Sequence, residues 1–160
     1  MEKPQNNSEL MIAAGILLGI GLAGLFDGIV LHKILQWHHM LSSVKPLTNT
    51  SNLELNTLWD GLFLWGIYIV IAVGLVLIWR ASQVGDVLSS PKIFGACLAI
   101  GAGSFNLIEG LIDHHILGIH HVKSGANELA WDLGFLAISA VLAVIGWILL
   151  RSEVRDVKSE

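Results

Sequence analysis

Four long runs without a charged residue, Leu10 to Phe26, Gly61 to Trp79, Ile93 to Ile108 and Leu133 to Leu150, constrain this chain more than any other feature. A helix of about 20 apolar residues is needed to cross the hydrocarbon core of a bilayer. The second and fourth runs reach that length almost unaided. The first and third reach it only by continuing past Asp27 and Glu109, which puts these two carboxylates near one end of a span. The expected fold is therefore all-α, an integral membrane four-helix bundle. Composition points the same way. The 160 residues are 54% hydrophobic and 14% charged, against about 25% charged in a soluble domain. The mean hydropathy is +0.69, and a body this small cannot hide so much apolar side chain inside one water-facing core. A net charge of −4 leaves no basic footprint for nucleic acid. The single cysteine, Cys97, excludes an internal disulfide and a closed thiolate zinc site.

The first run imitates a signal peptide but lacks a small-residue cleavage site, and its apolar pattern resumes as Gly28-Ile29-Val30-Leu31, so it is expected to be retained. Four spans put both termini and the middle connection on one side. Lys3, Arg80, Lys92, Arg151, Arg155 and Lys158 fall there, whereas Lys33, Lys45 and Lys123 fall on the other. The excess predicts cytoplasmic termini in a bacterial inner membrane. Pro46 with Asn49, Ser51 and Asn52 marks the first connection, Ser89-Ser90-Pro91 the middle one and Ser124 to Asn127 the last. Asn127 is the expected N-cap of the fourth helix, and Asn56 or Thr57 that of the second. Gly15, Gly19, Gly24 and Gly28 give the first helix a small-residue face for close approach to a neighbour.

An internal repeat organises the polar residues. The stretch DGIVLHKILQWHH from Asp27 aligns without gaps on EGLIDHHILGIHH from Glu109, at an offset of 82 residues. Asp27 meets Glu109, His32 meets His114, and His38-His39 meet His120-His121. Trp59-Asp60 with Phe63 recurs as Trp131-Asp132 with Phe135 at an offset of 72, the difference being assigned to a longer first loop. The chain thus reads as one membrane domain, 1–160, with repeat 1 at about 10–80, repeat 2 at about 92–151 and short tails at 1–9 and 152–160. Each repeat is a helical hairpin, and the two are parallel repeats related by a pseudo-two-fold along the membrane normal.

All seven histidines fall in the windows 32–39 and 114–121. A lone histidine near an interface is ordinarily a snorkelling amphipathic residue, and an acid early in a helix, such as Asp60 or Asp132, is favoured by the helix dipole alone. The duplication argues for more. It makes His32, His38, His39, His114, His120, His121, Asp27, Glu109, Asp60 and Asp132 candidate metal ligands or partners of ligands. On α-helical winding, Asp27 and His38 share one stripe, as do Glu109, Asp113 and His120, while His32, His39, His114 and His121 lie on another about 120–140° away. No helix carries a chelating pair by itself, so a metal has to be held between helices. Imidazole with carboxylate suits zinc, iron or copper. Lys33 aligned with His115 breaks the symmetry.

The segments FDGIVLHKILQWHH (26–39), LWDGLFLWG (58–66) and IEGLIDHHILGIHH (108–121) resemble a bacterial family of four-helix membrane proteins of unknown function. The resemblance covers nearly the whole chain. It implies a multi-pass membrane fold with paired histidine motifs and brings no activity with it.

The leading expectation is a lipid-embedded protein that binds a transition metal ion (Zn, Fe or Cu) at the extracytoplasmic end. It could act as an enzyme on a membrane-soluble substrate, with Asp113 or His115 relaying protons. The alternatives are an electron-transfer protein with bis-His haem b, through His32 with His114 or His39 with His121; a metal or proton transporter; and an assembly subunit of a larger membrane complex. Partners beyond the bilayer would be a second copy of the chain or such a complex.

Overall fold

The computed structural model describes residues 4–83 and 91–159. Lys3 and the Ser89-Ser90 connection lie outside the described residues, as does the side chain of Lys158. Four α-helices, α1 (Pro4–Leu25), α2 (Thr50–Ser82), α3 (Pro91–Glu109) and α4 (Glu128–Ser159), make up the fold, with no strand among the described residues. α1 and α3 do not stop at their ends but continue, wound as π-helix, through Phe26–Ile34 and Gly110–Ile116. The apolar runs accordingly form four spans, Ser8–Ile34, Thr50–Ser82, Pro91–Ile116 and Glu128–Arg155. Asp27 and Glu109 ride inside the first and third, as their sequence required.

The helices pack in the order α2, α1, α3, α4, with α1 and α3 against each other at the centre. What lets them approach is glycine. A Cβ on Gly19 would run into the backbone carbonyl of Leu98, and one on Gly101 into that of Ile16. These are the same contact made twice at the 82-residue offset, so the central crossing lies on the pseudo-two-fold. The glycine face of α1 is divided in use. Gly15 meets Cys97 on α3, whereas Gly24 and Gly28 admit Ile67 and Leu64 of α2.

Burial is inverted relative to a soluble protein. Tyr68 (67% exposed), Ile138 (72%) and many other large apolar side chains face outward, while His32, Asn56, Asp60, Asp132 and His120 are fully buried. The spans meet lipid with their apolar surface, and polar side chains gather where they can satisfy one another.

The helix starts differ from expectation at two places. α2 begins at Thr50, where Asn49 caps it by accepting the Asn52 N–H at 2.9 Å. Neither Asn56 nor Thr57 is the cap, because the helix starts within what looked like loop. Asn56 instead lies buried within α2 and pins the preceding loop: its Oδ1 accepts the Leu41 N–H, and its Nδ2 donates to the Lys45 carbonyl, each at 2.9 Å. Asn127 does precede α4, but in left-handed backbone (φ 69°), and its carbonyl rather than its side chain takes the N–H groups of Ala130 and Trp131. The earlier start of α2 also sets Asp60 well inside that helix, beyond the first turn where the dipole alone would account for it.

Candidate metal centre

The π-winding decides how the site is built. In a π-helix the N–H of residue i+5 bonds the carbonyl of residue i, and the ends of both segments show it twice over. Leu35 N–H donates to Val30 O at 2.8 Å, and Leu117 N–H to Ile112 O at 2.7 Å. Residues five apart then stand nearly over one another, although α-winding would separate them by about 140°. His32 Nε2 therefore lies 3.0 Å from Asp27 Oδ2, and His114 Nε2 lies 3.2 Å from Glu109 Oε1. The expectation of two separate stripes fails here because it assumed α-helical phase. It fails at His38, His39, His120 and His121 as well, since these follow the helices. The chain leaves each π-segment through a left-handed residue, Gln36 (φ 50°) in one repeat and its counterpart Gly118 (φ 58°) in the other, and folds back over the helix end.

Six side chains converge inside. Asp27, His32 and His38 come from the first hairpin, and Glu109, His114 and His120 from the second. The His38 and His120 rings stack almost parallel, 4.7 Å apart with 3° between planes, and His32 and His114 stand edge-on to them at 4.4 and 4.8 Å. His38 Nε2 lies 3.5 Å from Asp27 Oδ1, and His120 Nε2 lies 3.0 Å from Glu109 Oε1. Two sets of ligand atoms lie close enough to hold an ion, His32 with His38 and His120, and Glu109 with His114 and His120.

The remaining candidates form an outer layer that orients the inner one. His32 Nδ1 donates to Asp60 Oδ1 at 3.0 Å, and His114 Nδ1 lies 3.3 Å from Asp132 Oδ1. The hairpins exchange the other two: His38 Nδ1 donates to Val122 O at 2.8 Å, and His120 Nδ1 donates to Met40 O at 3.2 Å. Val122 and Met40 are themselves counterparts. Asp60 and Asp132 each take a further histidine, His39 at 2.6 Å and His121 at 2.7 Å, and a backbone N–H, of Met40 and Val122 respectively, at 2.9 Å. His39 and His121 thus stand outside the inner six.

This arrangement is short of positive charge. A neutral imidazole carries one N–H, and the carbonyls of Val122 and Met40 can only accept, so Nδ1 of His38 and His120 carries the proton. Their Nε2 atoms turn toward carboxylates, and that of His120 is hydrogen-bonded to Glu109 Oε1 at 3.0 Å. His32 stands between two carboxylates, with Asp60 Oδ1 at Nδ1 and Asp27 Oδ2 at Nε2, each 3.0 Å away. Nε2 of His32, His38 and His114 are buried, close to carboxylate oxygens, and out of line for a hydrogen bond. Burial pushes the His38 imidazole below its usual pKa range, outweighing the Asp27 carboxylate beside it, which acts in the opposite sense. Imidazole nitrogens facing carboxylates in a buried site need positive charge between them, from a second ring proton or from a metal ion, and a metal ion among orienting acceptors fits that donor set.

The symmetry breaks at the edge. Lys33 Nζ reaches Asp60 Oδ2 at 2.7 Å, whereas its counterpart His115 is exposed and leaves Asp132 without a second cation. Asp113 is half-buried at the counterpart of Leu31, within electrostatic reach of His120, Glu109 and His114. Above the cluster, Lys123 sits between the rings of Trp37 and Trp131, 4.9 and 5.2 Å from their centroids.

A family model described as predicted membrane protein (DUF2243) matches residues 14–153. The chain belongs to the DUF2243 family. The matched stretch contains all four spans except a few terminal residues and every residue of the cluster, so in this DUF2243 protein the paired motifs and the membrane fold come as one unit. No curated protein and no solved structure matches the chain.

Sequence reasoning missed two parts of the site. Asn56 was readable only as a cap. Met40 and Val122 carry no side-chain signal, because each contributes a carbonyl and an N–H. Their matched place directly after each His-His pair was the available clue.

Proposed function

We propose that this membrane protein binds a transition metal, zinc, iron or copper, through Asp27, His32 and His38 of one hairpin and Glu109, His114 and His120 of the other. The observation that carries the reading is the convergence of four imidazole Nε2 atoms on two buried carboxylates, with Nδ1 of His32, His38 and His120 held from outside by acceptors. Each hairpin offers two histidines and one carboxylate, a set that suits non-haem iron and also zinc or copper. His120 belongs to both sets of ligand atoms, so an ion in either set is held with help from the second hairpin. Asp60, Asp132, Met40 and Val122 act as the orienting partners that metal-bound histidines need, with His39 and His121 behind them.

A bound ion of this kind supplies Lewis acidity and an activated water. Asp113, half-buried beside Glu109 and unmatched in the other repeat, is the acid we assign to proton exchange there. Haem b fits less well, because the room between His32 and His114 is taken by the rings of His38 and His120. The excess of lysine and arginine on the terminal side supports cytoplasmic termini in a bacterial inner membrane, with the cluster at the opposite end.

Elemental analysis of detergent-purified protein tests the reading. A transition metal in stoichiometric amount, lost in the double variant His32→Ala, His114→Ala, is the expected result. Metal content unchanged in that variant, or wild-type protein devoid of metal after reconstitution, overturns it. A Soret band in the purified protein would replace it with the haem reading.

A further inference from the structure

One flank of the bundle holds a cavity whose lining departs from the internal repeat. It lies between α1, α3 and α4 and measures about 380 Å³, inside the range of roughly 300–1,000 Å³ typical of small-molecule sites. Asp27, Leu31 and Ser139, all buried, stand at its inner end, and the exposed Leu22, Phe26 and Ile138 form its rim. The mouth therefore opens sideways onto the lipid-facing surface of the spans.

The two repeat offsets locate the equivalent position between α3, α1 and α2, where the side chains differ in size. Where the cavity side has Ala23, Ala102 and Ser139, the other side has Phe105, Ile20 and Ile67. There Ile67 packs into the space over Gly24, and the Phe105 ring lies 6.3 Å from that of Phe63. Three small residues thus stand in this cavity where the other repeat has large ones, and Leu22, Asn106 and Ile138 stand where it has Ser104, Gly24 and Gly66. Empty apolar volume costs stability, and the side chains that would remove it are already in use in the other half.

The cavity also carries unspent hydrogen-bonding capacity. Asn106 lines it at the position where the other repeat has Gly24, and among the described residues nothing hydrogen-bonds its side-chain amide. The Ser139 hydroxyl donates to Phe135 O at 2.6 Å, which leaves its oxygen free to accept. A polar amide in a span, lining an otherwise apolar cavity, marks a place for a ligand's polar end.

We propose that this cavity binds a single-chain, lipid-soluble molecule with an uncharged hydroxyl or carbonyl end, entering from the bilayer. The chain lies against Leu22, Phe26 and Ile138, and the polar end meets Asn106 beside Asp27. An anionic end would face the Asp27 carboxylate, and any charged end would lose its hydration among apolar walls. Binding of this kind stands apart from the metal. That the ligand is a substrate of the centre rests on the metal-binding reading, since Asp27 belongs to both.

Photolabelling of the full-length protein in detergent with a diazirine-bearing long-chain alcohol, with the modified peptides mapped by mass spectrometry, tests the proposal. The expected label falls on residues 22–31, 102–106 and 135–139, and is displaced by hexadecan-1-ol but not by hexadecane. Copying the other repeat with Ala23→Phe and Ser139→Ile should abolish it, and Ala102→Ile alone serves if that pair fails to fold. Label spread evenly over the lipid-facing surface, equal competition by hexadecane, or undiminished labelling of a folded filled variant overturns the proposal. Metal content measured on the same samples separates the two readings. Site labelling in protein that takes up no metal keeps the cavity and removes the centre, and metal without site labelling does the reverse.

Discussion

Asp60 holds His32, His39, Lys33 and the Met40 N–H at once, and Asp132 holds the equivalent set without the lysine. Replacing either by Asn keeps the shape, but the amide can offer an N–H where the carboxylate only accepts, so the imidazole tautomer is no longer fixed. Losing an orienting partner of a metal ligand typically costs 10–100-fold in affinity. Asp60→Asn and Asp132→Asn should each weaken metal binding by about that factor, measured by competition with a chelator. Asp60→Asn should also lower thermal stability more than Asp132→Asn, because it leaves Lys33 without its carboxylate. His38 adds a pH dependence. Its folded pKa lies below the unfolded value of about 6.5, so the unfolded chain binds the proton more readily. The associated stability is complete above that value and is lost as pH falls through the window between it and the lower folded pKa. Metal release follows the same sign, since ligands must shed protons to bind; titration from pH 8 to pH 5 in detergent should show both. At this scale the sequence disclosed which side chains belong together, because His32 and His114, or Asp27 and Glu109, occur at one offset. It could not disclose which nitrogen faces inward, since that depends on the carbonyls of Met40 and Val122.

The π-segments and the glycine crossing carry the geometry at the level of elements. Asp27 to His32 and Glu109 to His114 are five-residue spacings, which look out of phase on an α-helical wheel and come into phase only when the winding changes. The lipid-facing Ile29 and Ile34 share the same five-residue spacing, both exposed in the π-wound chain. The number and order of the spans, by contrast, were legible from charge alone, although α2 starts at Thr50, well before its charge-free run. Gly19 and Gly101 give a sharp comparison. A leucine at either should drive α1 and α3 apart, lowering the unfolding temperature in detergent and releasing metal. Gly61→Ala and Gly66→Ala, which meet nothing within 4 Å, should change neither and gain the modest helix preference of alanine, about 1 kcal/mol at most.

Two hairpins related by a pseudo-two-fold, polar within and apolar without, describe the whole molecule. A lysine at Val141, exposed on α4, should impair insertion, at a cost of about 2.5–3.5 kcal/mol near the middle of a span, read as a lower inserted fraction. Reporter fusions test orientation: a C-terminal reporter active only in the cytoplasm should be active, and one placed in the 117–127 connection should not. The parallel arrangement of the halves was legible because Asp27 and Glu109 begin equivalent motifs after spans of the same direction. The open cavity was not, because Ala23, Ala102 and Ser139 are ordinary small residues until the other repeat shows what they replace.

The crossed bonds from His38 to Val122 and from His120 to Met40 mean that neither hairpin owns a finished set of imidazoles. Each lends the other the carbonyl that fixes a tautomer. A chain expressed as two pieces, one ending at Gln83 and one beginning at Pro91, should hold metal only when both are made together, and should copurify when it does. Under the proposed metal reading, an ion retained by the protein reports that its second half has met the first.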